Sequence, residues 1–133
     1  MKSLFLIVSI TIAALVIMFA LSNDDRKEQE EIKGEKIPSV YQEGDTQVIH
    51  VVSTSGGYYP QNITANANTK TVLRVESKNS YGCERSFRIP KLDITEILPQ
   101  QGITEFELGT QEKGEQILGT CSMGMYTFMI KFE

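Results

Sequence analysis

The chain has one histidine in 133 residues, two cysteines and no tryptophan. Each shortage removes a class of chemistry. A blue-copper centre needs two histidines, a cysteine and a weak axial ligand, and only His50 is present. A structural zinc site draws four ligands from cysteine and histidine, and iron–sulfur clusters need more than two thiolates. No Ser-His-Asp arrangement forms around His50, and Gly56-Gly57 reads as a turn rather than a phosphate loop. No enzyme is therefore expected. The net charge is -4 and the basic residues form no cluster in the C-terminal two-thirds, which argues against nucleic-acid binding. No internal repeat or low-complexity tract is present.

Long apolar stretches are also scarce, with one exception. Leu4 to Leu21 is apolar throughout, interrupted only by Ser9 and Thr11. At a helical rise of ~1.5 Å per residue it reaches about 27 Å, enough to cross the hydrocarbon core of a bilayer. A secretory signal has a shorter apolar region, although Ala20-Leu21-Ser22 is a poor version of a cleavage site. No cysteine follows the run, so a lipid anchor is excluded. Residues 1–22 thus read as a single-pass anchor in the plasma membrane. Only Lys2 precedes the run, while Arg26, Lys27, Lys33 and Lys36 follow it. Counting lysine and arginine alone places the C-terminal part on the cytoplasmic side.

Residues 23–45 are rich in Glu, Lys, Asp and Gln, with little to bury, and read as a charged, solvated linker. From Thr46 the pattern changes to period two: Ile49 and Val51 against Val48 and His50, Leu73 and Val75 against Val72 and Arg74, Phe87 and Ile89 against Ser86 and Arg88. Thr104-Phe106-Leu108 and Tyr126-Phe128-Ile130-Phe132 repeat the alternation, with a shorter segment at Ile117-Leu118. Such runs are half-buried strands. Turn residues at Ser55-Gly56-Gly57, Asn79 to Gly82, Gln101-Gly102 and Lys113-Gly114 separate them. Residues 46–133 therefore read as one all-β sandwich.

The sulfur atoms are unevenly placed. Cys121-Ser122-Met123-Gly124-Met125 sets three of them at alternate positions just before the last strand, and Cys83 lies far upstream in another turn. A sandwich gathers its loops at two ends, so two loop cysteines can meet. Thiolates and thioethers are soft ligands, and without histidine they favour Cu(I). The candidate metal ligands are Cys83, Cys121, Met123 and Met125, holding one or two Cu(I) ions. Met129 points to the opposite face from Phe128 and His50 is mid-strand, so neither is expected to ligate. Glu84 and Arg85 are expected as exposed charges that could at most support a ligand. Two other readings stand beside this one. A Cys83–Cys121 disulfide could brace an extracytoplasmic structural domain, and methionines near a strand are often core filler.

Gly57-Tyr58-Tyr59-Pro60, Thr71-Val72-Leu73-Arg74-Val75, Gly82-Cys83 with Phe87-Arg88-Ile89-Pro90, and Cys121-Ser122-Met123-Gly124-Met125 together resemble the cupredoxin-like domains of bacterial copper-resistance proteins. With the apolar N-terminal run, the chain resembles the membrane-anchored Cu(I) chaperones of Gram-positive cocci, the CupA-like proteins. The resemblance covers roughly residues 46–133, and the Cys-Ser-Met-Gly-Met loop is its specific part. It implies a Greek-key β-sandwich or barrel in which Cys83 and Cys121 supply thiolates that can bridge two ions, with Met123 and Met125 completing the coordination. It further implies delivery of Cu(I) to a copper-exporting P-type ATPase through that pump's metal-binding domain. The missing second histidine departs from ordinary cupredoxins and argues against electron transfer, the remaining rival.

Overall fold

A computed structural model describes residues 12–17 and 38–133. Residues 12–17 are helical. No helix among the described residues is long and apolar enough to cross a membrane. The anchor expected over residues 1–22 lies, apart from that helical stretch, outside the described residues, as does most of the expected linker. The chain divides into two units, Met1–Lys36 and Ile37–Glu133.

The second unit is all-β, with ten strands: β1 (Val40–Glu43), β2 (Thr46–Thr54), β3 (Gly57–Tyr59), β4 (Asn62–Ala65), β5 (Lys70–Ser77), β6 (Ser86–Ile89), β7 (Ile94–Ile97), β8 (Gly102–Thr110), β9 (Gln116–Cys121) and β10 (Thr127–Phe132). One sheet runs β1-β2-β5-β8, with β3 on the same edge of β2 as β1; the other runs β4-β10-β9-β6-β7. Both are mixed, because β2 pairs parallel with β5 and β10 parallel with β4. Two expectations need correction here. Val40–Glu43, expected within the linker, pairs with β2. The short strands β3, β4 and β7 were too brief for alternation to reveal them.

Alternation works where one face meets the core. In β5, Thr71, Leu73, Val75 and Ser77 are buried, with the intervening residues more open. It fails in β2, where Gln47 to Val51 are all buried, as befits a strand with neighbours on both edges and covered faces. His50 is accordingly buried, and its Nε2 lies 3.1 Å from Glu76 Oε2. The core between the sheets is built on aromatic rings: Tyr58 meets Phe87 and Phe128 edge-on at 5.8 and 5.5 Å, and Phe87 stacks on Phe106 at 5.0 Å. These are the offset and T-shaped geometries that ring quadrupoles favour. Gly119 pairs with Phe128 across β9 and β10, and the Phe128 ring fills the space its side chain would take.

The strand directions bring four connections to one end of the sandwich: β2 to β3, β5 to β6, β7 to β8 and β9 to β10. Hydrogen bonds tie them together. Ser55 Oγ donates to the Asn79 carbonyl (2.7 Å), Ser80 N to the Gln100 carbonyl (3.1 Å) and Ser122 N to the Ser86 carbonyl (2.8 Å). Both cysteines lie at this end.

Candidate metal centre

Cys121 is the last residue of β9, not a turn residue as expected, and its side chain faces the core at 1% exposure. Strand register puts it opposite Phe87 of β6. After it the chain reverses tightly. Gly124 N donates to the Cys121 carbonyl (2.9 Å) and Cys121 N to the Tyr126 carbonyl (3.1 Å). Gly124 sits at φ +68, in the left-handed region that glycine enters without steric cost. The far side of the reversal is held by Tyr126, whose ring lies against Gly57. That glycine is at φ +117, and a Cβ there would stand 2.9 Å from the ring.

Cys83 opens a short 3-10 turn, Cys83–Arg85, that leads into β6. Its Sγ donates to Cys121 Sγ at 3.2 Å. The two sulfurs are unbonded thiols, well outside the ~2.05 Å of a disulfide. The thiols differ electrostatically. Cys83 is pushed up to about 11, by its hydrogen bond to Cys121 first, then by burial and by the negative charge of Cys121 and Glu84. For Cys121, burial acts upward but is outweighed by hydrogen bonds to its sulfur from Tyr126 N–H, the Cys83 thiol and the Met125 and Met123 N–H groups, so it is held below the ordinary thiol value. Tyr126 N approaches Cys121 Sγ at 3.5 Å. Backbone donors around the Cys121 sulfur, with the Cys83 thiol donating into it, make Cys121 the easier of the two thiols to deprotonate.

Met123 and Met125 are 72% and 64% exposed. They are not core filler. Thioethers, like thiols, are soft donors, and both methionines follow Cys121 within four residues. The structure thus joins Cys83 and Cys121 directly and places both methionines on the reversal that follows Cys121. Met129 is half-buried in β10 and lines a surface cleft of about 210 Å³ with Leu118 and Thr127. His50 is engaged by Glu76 in the other sheet. Among the described residues no group of three or more His, Cys, Asp or Glu side chains could hold a metal.

Glu84 departs most from its sequence reading. Expected as an exposed charge, it is fully buried. Burial acts to raise its pKa, but N–H groups of Gly82 and of its own residue, the Ser80 hydroxyl and Tyr81 N–H reverse this and hold it below the ordinary carboxylate value. Tyr58 was also unassigned as a site residue. Burial, followed by the two thiols and Glu84, drives its phenol upward, so it stays protonated and donates to the Glu84 carbonyl at 2.6 Å. The sequence hints were slight: Tyr58 stands in the Gly57-Tyr58-Tyr59-Pro60 motif, and Glu84 directly follows Cys83.

A family model described as a cupredoxin-like domain matches residues 11–130. The solution structure of a copper-binding protein in its apo form is similar to this fold, with a TM-score of 0.62 and 22% identity over 71% of this chain and 94% of that one. The metal-binding domain of the Streptococcus pneumoniae D39 Cu(I)-exporting P-type ATPase CopA, crystallised with Cu(I), gives a TM-score of 0.62 and 17% identity over 71% of this chain and 92% of that one. At these identities the likeness shows the fold. No curated protein matches the chain.

Proposed function

This chain belongs to the cupredoxin-like domain family, and from that premise we propose that it is a Cu(I)-binding protein that sequesters copper and hands it on, with Cys83, Cys121, Met123 and Met125 as its ligands. The observation that carries the reading is the pair of free thiols 3.2 Å apart, with two exposed methionines on the reversal that follows Cys121. Cu(I) is the cargo. On entry it takes the place of the proton that the Cys83 thiol donates toward Cys121, and that proton leaves to water. Buried Cys121 supplies the fixed sulfur. The exposed methionines supply ligands that can be released one at a time. Transfer then proceeds by ligand exchange, an incoming sulfur from the acceptor binding before an old one departs. An open edge suits this better than a closed four-coordinate cage.

The acceptor in this reading is a copper-exporting P-type ATPase, engaged through its metal-binding domain. Support comes from the likeness in fold to such a domain and from the sulfur loop. The apolar run Leu4 to Leu21 supports a tether in the plasma membrane with the β domain on the cytoplasmic side, which would raise the donor's effective concentration near a membrane partner. An electron-transfer role is disfavoured by the single histidine, which Glu76 engages.

Competitive Cu(I) titration against a chromophoric chelator tests the proposal, comparing wild type with Cys121→Ser and Met125→Leu. Loss of tight binding in the first and weakening in the second are expected. Unchanged affinity and stoichiometry in both would remove the site assignment. Thiol titration of natively isolated protein tests the disulfide alternative: two free thiols that Cu(I) protects support the copper reading, and no free thiol with no copper uptake overturns it.

A further inference from the structure

Glu84 is a carboxylate with no exposure at all, one residue beyond a thiol that must stay reactive. Its Oε1 accepts three hydrogen bonds, from Ser80 Oγ (2.9 Å), Tyr81 N (2.8 Å) and Gly82 N (2.9 Å). Its Oε2 is buried and has no hydrogen-bond partner among the described residues. That oxygen lies over Gly82, where a Cβ would stand 2.7 Å from it, which explains why glycine precedes the cysteine. The backbone of Glu84 is held as firmly as its side chain, since its carbonyl accepts the 2.6 Å bond from buried Tyr58. Burying a carboxylate is costly unless it is fully hydrogen-bonded, and here one oxygen is left without a partner. The remaining bonds all converge on the segment that presents Cys83.

We propose that Glu84 is the positioning residue for Cys83, gathering Ser80, Tyr81 and Gly82 around its carboxylate so that the Cys83 sulfur is held against Cys121. Other restraints act at the start of the segment, where buried Ser80 donates its N–H to the Gln100 carbonyl (3.1 Å) and shares its hydroxyl with Ser53 (3.1 Å), whereas Tyr81, next to Gly82, is 62% exposed. Without the carboxylate, three donors lose their common acceptor and the turn opens. Tyr58 fixes the post itself from the facing sheet. The inference rests on the copper reading for its purpose but not for its geometry, which concerns the metal-free thiols.

The experiment uses the full chain, metal-free, with Glu84→Ala, Glu84→Gln and Tyr58→Phe. Iodoacetamide labelling is read by mass spectrometry at each cysteine separately, and Cu(I) affinity by chelator competition. In Glu84→Ala the Cys83 labelling rate rises and Cu(I) affinity falls by about 10–100-fold, the range for lost outer-shell partners, while Cys121 stays slow. Glu84→Gln falls between wild type and alanine, because its carbonyl oxygen still accepts the three donors while its NH2 enters a place with no acceptor. Tyr58→Phe keeps the aromatic packing and leaves the Glu84 carbonyl without its donor; its Cys83 labelling rises and its thermal midpoint falls, with the fold retained. A folded Glu84→Ala with wild-type Cys83 labelling and affinity overturns the proposal. If that variant does not fold, wild-type labelling in both Glu84→Gln and Tyr58→Phe overturns it instead. A wild-type protein that fails to bind Cu(I) overturns the copper reading, and the labelling comparison still decides the role of Glu84.

Discussion

Replacing Gly119 by alanine adds one methyl group in the middle of β9, and its sign of effect is a sharp check on the core beneath the thiols. In an unobstructed strand the change should stabilise by ~0.4–1 kcal/mol, because the unfolded chain loses freedom. Here the new Cβ would stand 2.1 Å from Cε1 and 2.2 Å from Cζ of Phe128, more than an ångström inside ordinary contact. The ring cannot simply retreat. Phe128 is 1% exposed, meets Tyr58 edge-on at 5.5 Å and lies parallel to Phe87 at 6.1 Å. Overpacking of this kind costs about 1–3 kcal/mol. For a domain of this size that lowers the thermal midpoint by roughly 5–20 °C, at ~4–8 °C per kcal/mol. The assay is thermal unfolding followed by circular dichroism. A double-mutant cycle adds Phe128→Leu, which makes room for the methyl group, so the pair should be less destabilised than the sum by at least ~0.5 kcal/mol. An unchanged or raised midpoint in Gly119→Ala, or strict additivity in the cycle, would refute the packing argument.

The remaining predictions concern the site and its supports. Cys83→Ser and Cys121→Ser should each abolish tight Cu(I) binding, whereas Met123→Leu should weaken it and leave the fold unaffected, since that side chain is exposed; chelator competition and circular dichroism check both. The Cys83 thiol is pushed up to about 11, so throughout the neutral range its proton must leave when copper binds. Apparent Cu(I) affinity should then rise with pH, by about tenfold per unit for each proton displaced, and a flat profile would contradict Cys83 as a ligand. Gly57→Ala forces a side chain to φ +117 and into the Tyr126 ring. It should cost about 1–3 kcal/mol and loosen the reversal after Cys121, seen as a lower denaturation midpoint and faster Cys121 alkylation.

Much of this protein was legible as sequence because local rules suffice for it. Period-two alternation located β5, β6, β8 and β10, since each sets one face against the core. The scarcity of histidine and the spacing of sulfur narrowed the chemistry to a soft metal before any contact was known. What local rules could not reach were features set by partners distant in the chain. Val40–Glu43 is a strand only because β2 offers it an edge, and β2 loses its alternation because both of its faces are covered. Exposure of Met123 and Met125 follows from the tight reversal at Gly124, not from their hydrophobicity. Glu84 is the clearest case. A glutamate beside a cysteine reads as a surface charge, and only the folded Ser80–Glu84 segment supplies the three donors that let it be buried. The supply of sulfur side chains and the scarcity of histidine were therefore determined by the sequence alone. That two thiols lie 3.2 Å apart across 38 residues of chain, one buried in the core and the other next to a buried carboxylate, was decided by tertiary structure, because hydrogen bonding and burial are satisfied only where the strands and loops meet.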